Sequence, residues 1–301
     1  MITVPKNIKP GDKIGIVCPA GYMEYTRIEA CKKQLEEWGF EVVVGKTVGS
    51  SSETYFSGTD EERLEDLQQM MDDSSIKAIV CGRGGYGTVR IVDQISFKKF
   101  KKRPKWIVGY SDITILLNHL LAKHKIASIH GPMAGAFNNG EEGKPFNDSL
   151  LGALTGKRSN YVVEPHPYNK KGVCVGELTG GNLSLLVNTI GTKSEVKTKN
   201  KILFIEEVGE LKYTIDRMFW QLKRAGKFDD LSGLIIGGFS ETRDTVRPYG
   251  KDVIDIIHEI VKDYPYPICY GFPVSHEKDN VALRIGMGHR LRVGSNKVIL
   301  D

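Results

Sequence analysis

The stretch IVGYSDITILLNHLL (107–121) indicates the fold most directly. An apolar run ends at Gly109, and apolar residues recur at helical spacing just after Ser111. The pattern predicts a buried strand at 106–109 that turns at once into a helix at 112–123. A serine in such a turn stands at the edge of a sheet, as in a nucleophile elbow. Taken alone, a Ser-Asp pair at this place is more often a plain helix cap.

The rest of the first half repeats this alternation of apolar strands and amphipathic helices. Strands are predicted at 13–17, 40–44, 76–81 and 126–131, and helices at 24–38 and after a capping box formed by Thr59 and Glu62. Apolar strands separated by helices form parallel sheets that are covered on both faces. Binding sites in such sheets lie beyond the carboxyl ends of the strands, which is where Ser111 falls.

The second half is predicted to be a more mixed arrangement of strands and helices. Apolar strands are predicted at 173–178, 201–207, 233–238 and 268–272, with helices between them and several short strands after them. The intervening stretch 132–172 is richer in Gly, Asn, Pro and Lys, as is typical of a linker. We therefore predict an N-terminal α/β domain at 1–140, a linker or crossover at 141–172 and a C-terminal domain at 173–301.

A glycine-rich loop, GRGGYG (82–87), follows the predicted strand at 76–81. Its GxGxxG spacing between a strand and a helix is typical of dinucleotide sites, so an NAD(P)-dependent oxidoreductase is one interpretation. Two features weaken this interpretation: the loop does not follow the first strand, and no acidic residue ends a strand about 20 residues farther on. The other interpretation is an oxyanion hole, because adjacent glycines let backbone N–H groups approach a carbonyl.

Two carboxylates and a histidine are further candidates for chemistry. The apolar strand KILFIEE (201–207) ends with Glu206 and Glu207, and a carboxylate at such a place can orient a histidine. Of the seven histidines, His276 lies in a polar loop after an apolar strand, where catalytic bases are often found. His130, just before Gly-Pro, is the second choice, and spacing alone does not decide between them.

Composition and charge exclude several classes of protein. The 301 residues carry a net charge of +5 with both signs mixed along the chain, which argues against a nucleic-acid partner. The sequence contains no HExxH-like pair, so a zinc site is not predicted. It contains no apolar stretch of about 18 residues, so a membrane span is not predicted either. The N-terminus does not resemble a signal peptide. Because the five cysteines share no CxxC spacing, we expect reduced thiols in a cytoplasmic protein.

Eight segments, taken together and in order, resemble the LD-carboxypeptidase family, which includes the microcin C self-immunity peptidases. They are PGDKIGIVCPAG (10–21), CGRGGYGTVRI (81–91), VGYSDIT (108–114), IHGPM (129–133), GELTGGNLSLL (176–186), LFIEEVGE (203–210), IDRMFWQL (215–222) and GFPVSHEKDN (271–280). The set spans nearly the whole chain, and its order makes it specific. One departure is Thr179, which stands where the family usually has tryptophan.

The resemblance implies a fold and a catalytic triad. The fold would be α/β, with a Rossmann-like or flavodoxin-like parallel-sheet domain followed by a smaller, mixed, β-rich α/β domain. The serine of the GYSD motif is Ser111 and the histidine of PVSHE is His276. The acid that closes the LFIE strand is Glu206, with Glu207 as the alternative.

The implied activity is that of a serine-type LD-carboxypeptidase. Such an enzyme would remove the terminal D-alanine from murein tetrapeptides during cytoplasmic cell-wall recycling, as a homodimer, with neither metal nor cofactor. Backbone N–H groups of Gly85 and Asp112 would form the oxyanion hole. Candidates for contacts with the peptide are Gly84, Arg83, Asn182 and Arg217. The alternatives are a peptidase for peptidyl-nucleotide antibiotics such as microcin C, the NAD(P)-dependent oxidoreductase, and a peptide-binding module with an inactive triad.

Overall fold

The structure, a computed structural model, describes all 301 residues and divides into two compact units. The first unit comprises Met1–Arg158 with Val281–Gly286, and the second comprises Ser159–Asn280 with Met287–Asp301. The strands are β1 Lys13–Val17, β2 Glu41–Val44, β3 Ile76–Cys81, β4 Trp106–Gly109, β5 Ser128–His130, β6 Tyr161–Val163, β7 Gly172–Asn182, β8 Lys201–Val208, β9 Gly233–Ser240, β10 Ile268–Tyr270, β11 Leu283–Ile285, β12 Gly288–Val293 and β13 Val298–Leu300. The α-helices are α1 Glu29–Glu37, α2 Asp60–Asp72, α3 Thr88–Ile91, α4 Thr114–His119, α5 Gly140–Thr155, α6 Leu183–Asn188, α7 Lys212–Arg224 and α8 Val253–Val261.

The two units differ from the predicted domain ranges within the predicted linker, which contains α5 and β6, and at β11. Helix α5 occupies much of the predicted linker, and its Leu150 and Leu154 are fully buried. The buried face of this helix also contains Gly143 and Asn147, so its hydrophobic pattern is weak and its composition resembles that of a loop. Strand β11 belongs to the first unit although it follows most of the second in sequence, which no contiguous division of the chain can anticipate.

The first unit is built on a six-stranded sheet in the order β11-β5-β4-β3-β1-β2. Strands β1 to β5 pair in parallel, and β11 adds antiparallel to β5 at one edge. All of β4 and nearly all of β3 is buried, which accounts for their continuous apolar sequences. The strand order is that of flavodoxin-like folds, so the predicted parallel α/β domain is confirmed.

Helix α2 begins where its sequence predicts. The Thr59 hydroxyl accepts a hydrogen bond from the Glu62 N–H at 3.2 Å, and the Glu62 carboxylate accepts one from the Thr59 N–H at 2.8 Å. This reciprocal capping box fixes the start of the helix. It thereby also fixes the position of Arg63, the residue that follows the first turn.

The second unit contains a seven-stranded sheet in the order β10-β9-β8-β7-β12-β13-β6. Its first four strands are parallel, and the last three are antiparallel. Helices α7 and α8 share a hydrophobic core with β8 and β9 through residues that include Phe219, Ile257, Leu203 and Leu234. The predicted mixed, β-rich second domain is therefore confirmed.

No helix has both the length and the apolar composition that a membrane span requires. All five cysteines are unpaired, and four of them are buried.

Candidate active site

Ser111 lies in the turn between β4 and the helix that follows it. Tyr110 is extended, with φ −151° and ψ −170°, and Ser111 then adopts a left-handed φ of 59°. A short 3-10 turn over Ser111–Ile113 leads directly into α4. A left-handed conformation costs a residue other than glycine about 1–2 kcal/mol, and it persists only where the surrounding structure imposes it. The backbone thus makes the sharp strand-to-helix bend of a nucleophile elbow.

The glycine loop after β3 packs closely against this bend. A Cβ atom at Gly84 would lie 3.2 Å from both the Ser111 Oγ and the backbone nitrogen of Asp112. Gly85 is exposed and has a left-handed φ of 93°, and a side chain there would meet the Tyr55 hydroxyl. Gly84 therefore lies against both Ser111 and the Asp112 N–H, an approach that leaves little room for a side chain at this position of the loop. The oxyanion role of Gly85 and Asp112 stays a prediction.

In the second unit, His276 lies against a buried carboxylate. Its Nδ1 atom is 2.6 Å from Oε2 of Glu206, whose side chain is fully buried at the end of β8. Burial by itself lowers the pKa of His276, but the Glu206 carboxylate outweighs this effect, with help from Glu207 and Glu241. The pKa of His276 is therefore raised above its ordinary value. A neutral imidazole in this pair donates its Nδ1–H to the carboxylate, which fixes the tautomer and the orientation of the ring.

Two glycines bring the loop that carries His276 close to β8. The pairing of β8 with β9 shifts register after Ile205, and Gly237 and Gly238 lie at this bulge. A side chain at Gly237 would clash with the carbonyl oxygen of Val274, and the Gly238 N–H donates to the same oxygen at 2.9 Å. The bulge and the missing side chains together let the segment before His276 approach the end of the strand.

Glu207 has other partners. Its carboxylate accepts hydrogen bonds from the Asn182 side-chain amide and from the Ser184 N–H, each at 2.7 Å. Burial raises the pKa of Glu207, although hydrogen bonds from Val208 and Asn182 offset part of the rise. The carboxylate ties the end of β8 to the start of α6. The acid in contact with the histidine is therefore its neighbour, Glu206.

The side chains predicted to contact a peptide lie in both units, and each has contacts within its own unit. Asn182 is buried at the start of α6, and its side chain caps that helix. The exposed Arg83 guanidinium donates to the carbonyl oxygen of Tyr22 at 2.9 Å. Arg217 lies on the exposed side of α7, with its guanidinium 5.4 Å from the centre of the Tyr213 ring. Neither contact tests the expected roles of Arg83 and Arg217 in substrate binding, which stay predictions.

Glu241 is a neighbour of the His276 pair that no sequence signal indicates. It directly follows β9, has a left-handed φ of 50°, and contributes to the raised pKa of His276. His130, the second choice for a base, is fully buried within β5. Its ring centroid is 5.9 Å from that of Tyr110.

Comparison with known proteins relates both parts of the chain to one family. Residues 14–131 match the sequence model of the LD-carboxypeptidase N-terminal domain, and residues 175–291 match that of the C-terminal domain. The chain is 32% identical over 300 residues to a probable murein peptide carboxypeptidase of Bacillus subtilis. That match covers 99% of this chain and 94% of the relative.

Known structures share the fold over nearly the full length. A muramoyltetrapeptide carboxypeptidase from Oxalobacter formigenes matches with a TM-score of 0.85 and 28% identity, covering 96% of this chain and 97% of the other. The microcin C7 self-immunity protein MccF, in complex with aspartyl sulfamoyl adenosine, matches with a TM-score of 0.87 and 23% identity, covering 99% and 98%. At that identity the second likeness concerns the fold alone.

Proposed function

Because this chain belongs to the LD-carboxypeptidase family, we propose that it is a serine peptidase that removes the terminal D-alanine from murein tetrapeptides. The observation that carries the proposal is the left-handed backbone of Ser111 in a strand-to-helix turn. A plain helix cap has an extended backbone and needs no such strain, so the strain favours a nucleophile. The hydrogen-bonded pair of His276 and Glu206 offers the base that such a nucleophile requires.

The proposed reaction proceeds through an acyl-enzyme. His276 takes the proton of Ser111 as the hydroxyl attacks the scissile carbonyl. Glu206 holds the imidazole in place and stabilises its protonated form. Backbone N–H groups of Gly85 and Asp112 stabilise the oxyanion, and a donor of this kind typically contributes about 3–4 kcal/mol. Water then hydrolyses the acyl-enzyme, with His276 again acting as the base.

The names of the relatives support a cell-wall peptide as the substrate. The Bacillus subtilis relative is named for murein peptides, and the Oxalobacter formigenes structure for a muramoyltetrapeptide. The bond cut would join the L-centre of a diamino acid to the terminal D-alanine, in the course of wall-peptide recycling in the cytoplasm. Peptidyl-nucleotide antibiotics have weaker support, because the likeness to MccF is one of fold. Family membership argues against the nicotinamide-dependent oxidoreductase.

A comparison of wild type with Ser111→Ala tests the proposal. Wild-type protein incubated with a murein tetrapeptide should yield tripeptide and free D-alanine by mass spectrometry, and Ser111→Ala should yield neither while its circular dichroism spectrum is unchanged. Ser74→Ala, which alters an exposed serine of the same unit, is the matched control and should remain active. Release of D-alanine by Ser111→Ala at the wild-type rate, or no release by the wild type, would contradict the proposal.

A further inference from the structure

Two buried charged side chains hold the end of the glycine loop. Asp112 is 1% exposed, and its Oδ2 accepts a hydrogen bond from the Thr88 N–H at 2.8 Å. Arg63 is fully buried, and its Nη1 donates to the carbonyl oxygen of Gly87 at 3.2 Å. Gly87 and Thr88 are consecutive, so the two side chains bind the same peptide group. The Asp112 carboxylate accepts from its N–H, and the Arg63 guanidinium donates to its carbonyl oxygen.

The Arg63 guanidinium also ties this point to two other loops of the first unit. It donates to the carbonyl oxygen of Pro19, after β1, at 2.7 Å and to that of Gly58, before α2, at 3.3 Å. Asp60 forms an ion pair with it, so the buried charge is compensated. A Cβ atom at Gly87 would lie 2.8 Å from Nη1, so the loop runs as close to the guanidinium as a glycine allows.

Asp112 is linked to both donors of the proposed oxyanion hole. Its own backbone N–H is one donor, and its carboxylate holds the loop that carries the other donor, Gly85. These two amides are far apart in sequence, so their spacing depends on tertiary contacts. The hydrogen bond from Thr88 is a direct link between the two segments, and Arg63 restrains the same loop end from the other side.

We propose that Asp112 and Arg63 are positioning residues, which set the spacing of the two oxyanion donors through the end of the glycine loop. The inference rests on the proposed function. Donors that are fixed in advance act mainly on the charge that develops in the transition state, so their displacement lowers kcat more than it raises KM. A displacement of about 1 Å can lower a rate about 100-fold.

The test compares Asp112→Asn with Asp66→Asn. Asp66 is a matched control, because it is a buried carboxylate of the same unit that accepts from the Thr47 N–H at 2.8 Å, as Asp112 does from Thr88. For Asp112→Asn we expect kcat on the tetrapeptide to fall about 100-fold with KM nearly unchanged. The rate at which a fluorophosphonate labels Ser111 should fall with it. Asp66→Asn should lose thermal stability but keep kcat per folded molecule.

Arg63→Lys and Arg63→Gln extend the test to the guanidinium. The lysine variant keeps the charge and should retain more of kcat than the glutamine variant when both are assayed below their melting temperatures. Amide hydrogen exchange of residues 82–88 should accelerate more in Arg63→Gln than in Arg63→Lys. This measurement needs no activity. It therefore reports on the loop even in a variant that barely turns over.

Two results would overturn the inference. One is a wild-type kcat in Asp112→Asn, and the other is an equal fall of kcat in Asp112→Asn and Asp66→Asn. A wild-type protein that neither hydrolyses the tetrapeptide nor reacts with the fluorophosphonate would instead overturn the proposed function.

Discussion

The two consecutive carboxylates at the end of β8 have different partners, and this predicts different effects of the same substitution. Glu206 contacts His276, whereas Glu207 holds Asn182 and Ser184. Glu206→Gln keeps the shape of the side chain but removes the charge that orients the imidazole and stabilises its protonated form. By analogy with triads in which the acid becomes an amide, we expect kcat to fall about 10³–10⁴-fold in steady-state hydrolysis assays.

Glu207→Gln is the control for this substitution. The new amide group would face the donors of Asn182 or Ser184, and a lost buried hydrogen bond typically costs about 1–3 kcal/mol of stability. We therefore expect a lower free energy of unfolding in denaturant titrations, with kcat close to that of the wild type. An equal loss of activity in both variants would contradict the separate roles of the two acids.

The raised pKa of His276 predicts the sign of a pH effect. The base must be neutral to accept a proton, so kcat/KM should rise as pH increases through the pKa of His276, which lies above the ordinary 6.5. Burial alone would lower this pKa, and the Glu206 charge is what raises it. In Glu206→Gln the acidic limb of the pH–rate profile should therefore move to lower pH. An unmoved limb would show that another group controls it.

Sequence could identify these residues more readily than it could distinguish their tasks. Ser111 and His276 stand in recognisable surroundings, a strand-to-helix turn and a polar loop after a strand. Glu206 and Glu207 end the same strand, and what separates them is a register shift opposite Gly237, which depends on the neighbouring strand. Arg63 gives no sequence signal at all, because it occupies an ordinary position in a well-formed helix.

Among the elements, those that are buried on all sides could be predicted best from the sequence. Strands β3 and β4 span the predicted 76–81 and 106–109, because burial on both faces produces an unbroken apolar run. Helix α5 was not predicted, because its buried face mixes leucine with glycine and asparagine. The predicted helix at 112–123 is in fact a 3-10 turn, then α4, then a π-helical segment at Leu120–His124. Apolar spacing does not report such a change in hydrogen bonding.

His124, in the π-helical segment, should make the free energy of unfolding sensitive to acid. Burial lowers the pKa of His124 to about 4, and the charges of Lys101, His119 and Lys123 act in the same direction. The unfolded chain keeps the ordinary value of 6.5, so it binds more protons between these limits, and stability falls as pH decreases through that window. His124→Phe keeps the packing on Phe97 and removes two ring nitrogens that lack hydrogen-bond partners.

We expect His124→Phe to lessen the loss of stability between about pH 7 and pH 4.5 by about 1–2 kcal/mol, after allowance for solvent screening. Chemical denaturation of both proteins at the two pH values measures the difference. The same acid-induced loss in the variant and the wild type would show that other groups cause it.

For the whole molecule, the homodimer that the family resemblance implies stays a prediction. Size-exclusion chromatography with light scattering should give about twice the 33.5 kDa of the chain at micromolar concentration, since one interface would be shared by two copies. A dilution series would show whether the association is reversible. The mass of a single chain at every concentration would contradict the expectation.

The return of β11 to the first sheet has a consequence for folding during translation. Leu283 and Ile285 pair with His130 and Ser128 of β5, so this edge is covered by residues that leave the ribosome after almost all of the second unit. Domains commonly fold in the order in which they emerge. Until β11 is made, β5 is paired only with β4, and its outer edge can recruit strands of neighbouring chains on the same polysome. Slow or interrupted elongation between β6 and β10 should therefore favour aggregation.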